Sequence, residues 1–198
     1  MTILQRLIEQ AKSPKGFVGS VMLHIMNVAH RGMNKWLMES GAIKDGDIVL
    51  DIGCGGGKML QSLAKINHRG KIYGIDFSQQ AVKDSIKANQ ADVTKGKIIV
   101  RQASVSNIPY PEAFFDTITA FQTHYFWPNL ALDVKEVCRV LKKGGQFIII
   151  SEIYKINYHM KDYKTKTDIK QLFENIGFQK VDIKEDTKKG WLCIIGIK

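Results

Sequence analysis

The sequence predicts a three-layer α/β fold: a Rossmann-like, doubly wound sheet of seven strands, mostly parallel, with the last strand antiparallel. Three observations predict it. Short β-branched runs alternate with segments whose apolar residues recur at helical spacing. A cluster of glycines closes the first strand. The two final apolar runs are separated only by a polar, lysine-rich turn, too short for a helical crossover, so they must pair antiparallel.

The elements follow in order. Residues 1–40 read as two helices separated by Ser13-Pro14-Lys15-Gly16, a breaker cluster. Ile3, Leu4, Leu7 and Ile8 give the first an amphipathic pattern. Val18, Val21, Met22, Ile25, Met26, Ala29, Met33, Trp36 and Leu37 give the second a broad apolar face. This face is expected to pack as a cap rather than to anchor in a membrane. Ile48-Val49-Leu50 is the first strand, and Met59, Leu63 and Ile66 mark a helix that stops near Gly70. Ile72-Tyr73-Gly74-Ile75 is the second strand, followed by a helix capped by Ser78. Residues 97–100 and 115–120 read as the third and fourth strands. Leu130, Val134, Val137, Cys138 and Leu141 carry the clearest helix, expected to end at Gly144-Gly145, with Phe147–Ile150 following as a buried strand. Thr167 or Asp168 caps a last helix closed by Gly177. Residues 181–183 and 191–197 finish the sheet. The expected division is an N-terminal helical cap or lid, residues 1–40, and a core, residues 41–198.

The chain has 198 residues, 44% of them hydrophobic and 24% charged, which excludes a disordered or fibrous protein. No apolar run approaches the roughly 18 residues of a membrane span, and the N-terminus lacks the pattern of a secretory signal, so a cytoplasmic location is expected. Three separated cysteines without a CxxC pair read as reduced thiols, and no histidine stands at metal-ligand spacing from one of them, so no metal site is expected. The net charge of +10 permits a nucleic-acid partner. The lysines are scattered among acids rather than gathered in an arginine-rich, aromatic-interleaved run, so they read as a solvated face and nucleic acid is not the expected partner.

The informative segment is Asp51-Ile52-Gly53-Cys54-Gly55-Gly56-Gly57-Lys58. A glycine-rich turn between the first strand and first helix lets a ligand approach the backbone at the carboxyl end of the sheet. A dinucleotide fingerprint would place a third glycine where Lys58 stands. An acid, Asp51, two residues before the first glycine would repel a pyrophosphate and attract a cationic arm. A second acid, Asp76, ends the next strand, where a carboxylate can accept both ribose hydroxyls. The ligand therefore reads as a nucleoside carrying a cationic amino-acid arm.

These residues resemble the class I S-adenosylmethionine-dependent methyltransferases, close to the type 11 group that includes quinone-biosynthesis methyltransferases. VLDIGCGGG is similar to motif I, YGIDFS to motif II, VSNIPYPEAFFDTITA to the stretch from motif III into the fourth strand, and EVCRVLKKGGQFIIISE to the helix, turn and fifth strand. The resemblance runs from Met26 to Lys198. It implies S-adenosyl-L-methionine as cofactor, with S-adenosyl-L-homocysteine as product, and methyl transfer to a small-molecule acceptor by in-line displacement. It implies that Asp51 and the backbone at Gly53, Cys54 and Gly55 hold the methionine arm, that Asp76 holds the ribose and that Phe77 packs on adenine. Ser104 stands where the family usually has an acid near the adenine amino group, with the Val105 N–H beside it. Phe121 and Gln122 are expected under the methionine arm.

His124, Tyr125, Phe126 and Trp127 follow the fourth strand, where the acceptor sits in this family. His124 is a candidate general base, as is His30 on the N-terminal helix, and Tyr125 and Trp127 are candidate substrate contacts. Packing is the competing role for the aromatic residues, and Cys54 reads as loop packing rather than a nucleophile. The lid over the acceptor is expected from the N-terminal helices with residues 153–160. Two other functions stay open: an RNA methyltransferase, and a non-catalytic module that binds the same nucleoside. A monomer or homodimer is expected.

Overall fold

In the computed structural model, the described residues are 8–9, 12 and 14–198. The expected amphipathic helix of Ile3, Leu4 and Leu7, and the breaker residue Ser13, lie outside them. The elements are α1 (Gly16–Ala29), α2 (Arg31–Glu39), β1 (Val49–Ile52), α3 (Lys58–Ile66), β2 (Ile72–Asp76), α4 (Gln79–Ala88), α5 (Gln90–Thr94) and β3 (Ile98–Gln102). They continue with β4 (Phe115–Phe121), a single 3-10 turn (His124–Phe126), α6 (Leu130–Val140), β5 (Leu141–Glu152), α7 (Ile153–His159), α8 (Lys166–Ile176), β6 (Lys180–Asp186) and β7 (Trp191–Ile197).

The strands form one seven-stranded sheet in the order β3-β2-β1-β4-β5-β7-β6. β3 is parallel to β2 and β5 to β4, while β7 runs antiparallel to both β5 and β6. The expected topology, with one reversed strand, is what the chain adopts.

The chain divides into two compact units: one takes residues through Asp47 together with Asp51–Ser104, the other Ile48–Leu50 with Val105–Lys198. In the first, Ile52, Leu60, Leu63, Ile72, Ile75 and Ile98 are buried, and Met33 and Leu37 bury one face of α2. The helices of residues 16–39 belong to this unit, with α1 packed on α4 and α2 on α3. Ser20 Oγ donates to Asp84 at 2.6 Å and Ser78 Oγ to the Pro14 carbonyl at 2.5 Å. In the second unit, Phe147–Ile150 are at most 1% exposed, and the Phe147 and Phe173 rings stack at 5.6 Å.

Four boundaries differ from the sequence expectation. The single helix expected over residues 18–37 breaks at His30, which leaves the helical region at φ −91°, ψ 5°. The helix carrying Leu130 and Val134 ends at Val140 rather than at Gly144-Gly145, and the strand starts six residues before Phe147. Leu141 is extended and pairs with Phe115, and β5 shifts register before Gln146 pairs with Thr117. The glycines serve that irregularity: Gly144 has φ +74°, and a Cβ on Gly145 would lie 2.9 Å from the Asp116 carbonyl. The cap of α8 is Thr165, two residues earlier than the first expected candidate, because Thr165 and Asp168 form a reciprocal capping box. Residues 153–159 form a helix that the sequence pattern did not indicate.

Candidate active site

In the first unit the candidate residues lie on a turn shaped by backbone. Between β1 and α3 the chain turns through Gly53, Gly55 and Gly57, at φ +73°, +52° and +77°, a region that costs other residues free energy. The Gly53 and Cys54 N–H groups both donate to the Ile75 carbonyl, at 2.8 and 3.1 Å. The Gly55 N–H donates to Asp76 Oδ2 at 2.9 Å, and Ser78 N–H donates to Asp76 Oδ1 at 2.8 Å. The turn is thus tied to the end of β2 by three consecutive amides. Those three N–H groups are spent within the protein.

At the far end of the turn, Asn89 Nδ2 donates to the Gly57 carbonyl at 3.0 Å and to the Ser85 carbonyl at 2.9 Å. A Cβ on Gly57 would lie 2.5 Å from Asn89 Nδ2 and 2.6 Å from Ser85 Oγ. Leu23 of α1 covers the other side, 3.3 Å from where a Gly55 Cβ would stand.

Asp51, near the end of β1, is 1% exposed. Burial pushes the Asp76 carboxyl above its ordinary value, against the pull of its two N–H bonds. An ionised carboxylate has about four acceptor positions. With two filled by Ser78 and Gly55, two stay for a pair of vicinal hydroxyls. Burial also pushes the Cys54 thiol well above its usual range, with the Asp76 and Asp51 charges adding to it. Its Sγ lies 4.0 Å from Ser85 Oγ, and a Cβ on Gly74 would be 3.1 Å from it, so the thiol fills the space that Gly74 leaves. This is packing, not a nucleophile. The Phe77 side chain is 69% exposed, and Ser104, half-buried, closes the unit. His30, half-buried, sits at the α1–α2 junction. A cavity of about 240 Å³ beside the loop is lined by Arg31, Gly56, Gly57 and Lys58, among others. Sequence reasoning passed over Arg31, which stands in no motif, and used Lys58 only to exclude a dinucleotide fingerprint.

In the second unit the candidate residues are held by side chains. Val105 is buried near its start, and Phe121, half-buried, ends β4. The next residue, Gln122, is 2% exposed and has φ +60°. A non-glycine residue held there costs about 1–3 kcal/mol, and such strain gathers at functional sites. Its surroundings hold it: the N–H donates to the Ile150 carbonyl at 2.8 Å, Oε1 accepts from the Tyr125 hydroxyl at 3.0 Å, and Nε2 donates to Glu152 Oε2 at 3.2 Å. Lys155 Nζ meets the same Glu152 oxygen at 2.7 Å.

His124 is 1% exposed, with Nδ1 hydrogen-bonded to Ser151 Oγ at 3.0 Å and Nε2 without a hydrogen-bond partner. Burial pulls its pKa down to about 3, so the ring is neutral at physiological pH. A general base must reach the proton that it removes, and this conformation buries His124 completely. Tyr125, its hydroxyl pKa raised by burial, stacks on His159 at 5.3 Å with 11° between the rings. Phe126 meets His159 edge-on at 4.8 Å. Trp127 stacks on Phe147 at 6.1 Å, which ties it to the core of its unit. Ser151, Glu152 and His159 were missed by sequence reasoning. Glu152 had a signal: an acid at the carboxyl end of a buried strand, the same placing that singled out Asp76.

Among the described residues, no group of three or more His, Cys, Asp or Glu is placed to hold a metal ion. No helix among them is long and apolar enough to cross a membrane.

Known proteins align with this arrangement. A family model described as a methyltransferase domain matches residues 50–149. The uncharacterized methyltransferase YdaC of Bacillus subtilis is 26% identical over 163 residues, covering 81% of this chain and 87% of that protein. The demethylmenaquinone methyltransferase of Oceanobacillus iheyensis is 24% identical over 192 residues, covering 80% of each. In fold, the crystal structure of an S-adenosylmethionine-dependent methyltransferase from Aquifex aeolicus superposes with a TM-score of 0.73 at 19% identity, over 90% of this chain and 97% of that one.

Proposed function

The chain belongs to the methyltransferase-domain family and takes S-adenosylmethionine as its cofactor, and on that premise we propose that its acceptor is a small molecule with an aromatic, quinol-like ring. The observation that carries the nucleoside side of this reading is the Asp76 carboxylate, fixed by Gly55 and Ser78 N–H groups with two acceptor positions left over. That geometry suits the 2′- and 3′-hydroxyls of a ribose. It does not suit a phosphate, which a buried carboxylate would repel.

The cofactor supplies an electrophilic methyl group on a sulfonium, whose departure as a neutral thioether makes the displacement favourable. The protein's share is placement and exclusion of water. Asp51 attracts the ammonium of the amino-acid arm, and the Gly53 and Gly55 carbonyls are positioned by the same turn. Arg31 and Lys58, beside the loop, balance its carboxylate. Phe77 gives the adenine an apolar face, with Ser104 in the same unit. Gln122, Tyr125 and Glu152 hold the segment after β4 in one conformation, so that Phe126 and His159, half-buried against Tyr125, present a fixed aromatic wall to the acceptor. His124 acts by holding this segment to Ser151 rather than by taking a proton.

The acceptor class is supported by the aromatic lining of Tyr125, Phe126 and His159 and by the substrate in the name of the Oceanobacillus relative. Calorimetric titration with S-adenosylmethionine, S-adenosylhomocysteine and NAD tests the first half: both sulfur nucleosides should bind and NAD should not. Incubation with a demethylated naphthoquinol and a labelled methyl donor tests the second. Label transferred to RNA in preference to the quinol would replace the acceptor reading with a nucleic-acid one.

A further inference from the structure

The helix α1 is apolar on both of its faces. One is satisfied: Leu23 is 5% exposed against the glycine loop, and Ser20 reaches Asp84 of α4. On the opposite side Val18, Val21 and Ile25, spaced i, i+3, i+7, are 59%, 43% and 56% exposed. A helix that is apolar all round is ordinarily buried. The sequence expectation of a simple packed cap accounts for the Leu23 side only.

The charges near this face are arranged around it. Gly16–Ala29 contains no Lys, Arg, Asp or Glu. Lys12 and Lys15 precede it, Arg31 and Lys35 follow it, and no carboxylate stands between Lys12 and Lys35 in the sequence. All four cations are exposed. On α4, against which α1 packs, Lys83 and Lys87 are exposed, while Asp84 is engaged by Ser20 and Gln80. An uncharged apolar stripe with cations beyond both ends fits a negatively charged plane that is apolar beneath its surface.

We propose that α1 docks this protein onto anionic lipid bilayers, lying in the interface with Val18, Val21 and Ile25 turned into it. Fourteen residues make a helix about 21 Å long, too short to span and long enough to lie flat. The net charge of +10 draws the chain to such a surface before contact. The proposal does not depend on which acceptor is methylated.

Co-sedimentation of the full chain with vesicles tests it, using phosphatidylcholine alone and with about one third phosphatidylglycerol, a surface on which each nearby Lys or Arg strengthens binding. Binding should require the anionic lipid and weaken as salt rises. V18S/V21S/I25S should lower the partition coefficient by about tenfold or more, and its unchanged thermal melt would show that the fold is intact. K12Q/K15Q/K35Q leaves the apolar face in place and should lose a similar factor together with the salt dependence, which keeps the test open if the first variant fails to fold. Failure to bind anionic vesicles overturns the proposal, as does equal binding to neutral ones or unchanged binding by either triple variant. A native dimer that V18S/V21S/I25S converts to monomer would assign the face to a second copy instead.

Discussion

The turn after β1 and the turn after β4 both follow parallel strands of one sheet, yet the first is shaped by backbone and the second by side chains. Three glycines at positive φ and three amides bonded to the end of β2 form the first, with the Asp76 and Asn89 side chains tying its two ends. In the second, a single non-glycine residue, Gln122, takes the positive φ and is held there by Tyr125 and Glu152. The difference teaches where each can change. A backbone-made turn tolerates little substitution and accepts one kind of ligand, whereas a side-chain network can be rewritten for a new acceptor while the nucleoside turn stays as it is.

The comparison breaks most decisively at Asp76. Asp76→Ala removes the carboxylate proposed to accept both ribose hydroxyls and the tie to Gly55. Two hydrogen bonds to a charged group are worth about 1.5–3 kcal/mol each, so calorimetry should find affinity for S-adenosylmethionine reduced by about a hundredfold or more. Asp76→Asn, which keeps one carbonyl oxygen, should fall between. Binding unchanged in both would take the ribose away from Asp76. Gly57→Ala comes next and should act on stability. It forces alanine into φ +77° and against Asn89 and Ser85, at a cost of about 3 kcal/mol. For a chain of this size that lowers the melting temperature by about 6–12 °C.

The second turn should show its nature through pH. His124 is neutral in the fold with a pKa of about 3, against about 6.5 when unfolded. Between those values the unfolded chain binds the extra proton, so stability falls as pH drops below about 6.5. Between pH 7 and 5 the loss should be about 2 kcal/mol. In His124→Gln, melts at the two pH values should differ less than in the native chain by that amount. If His124 were instead a solvent-accessible base, native and variant would show the same pH dependence of stability, and activity alone would respond. The smallest effect is expected at Gln122→Gly. It relieves about 1 kcal/mol of backbone strain but removes the partners of Tyr125 and Glu152, so the melting temperature should stay within about 4 °C while KM for the acceptor rises. A variant with unchanged KM would detach this network from acceptor binding.

This division also governs what the sequence could show. The alternation of strands and helices, the Ser78 cap, the closing Gly177 and the two acids Asp51 and Asp76 were legible because each is local: a period, a cap or a strand-end position. Other features depend on contacts distant in sequence. Gly144-Gly145 reads as a helix stop in isolation, and only the close approach of the Asp116 carbonyl shows that it serves a bulged strand. Ser151 and Glu152 gain meaning from His124 and Gln122, nearly thirty residues earlier. The exposed stripe on α1 was visible as apolar periodicity, but which half of that periodicity finds a partner is decided by packing.

The buried thiol in the glycine turn carries a consequence for watching the molecule at work. Alkylating reagents attack thiolates, and Cys54 can form one only when the turn lifts away from Ser85 and Gly74. Its labelling rate is therefore a clock for the opening of the glycine turn. No engineered probe is required, and the clock should slow when a ligand bridges Asp51 and Asp76.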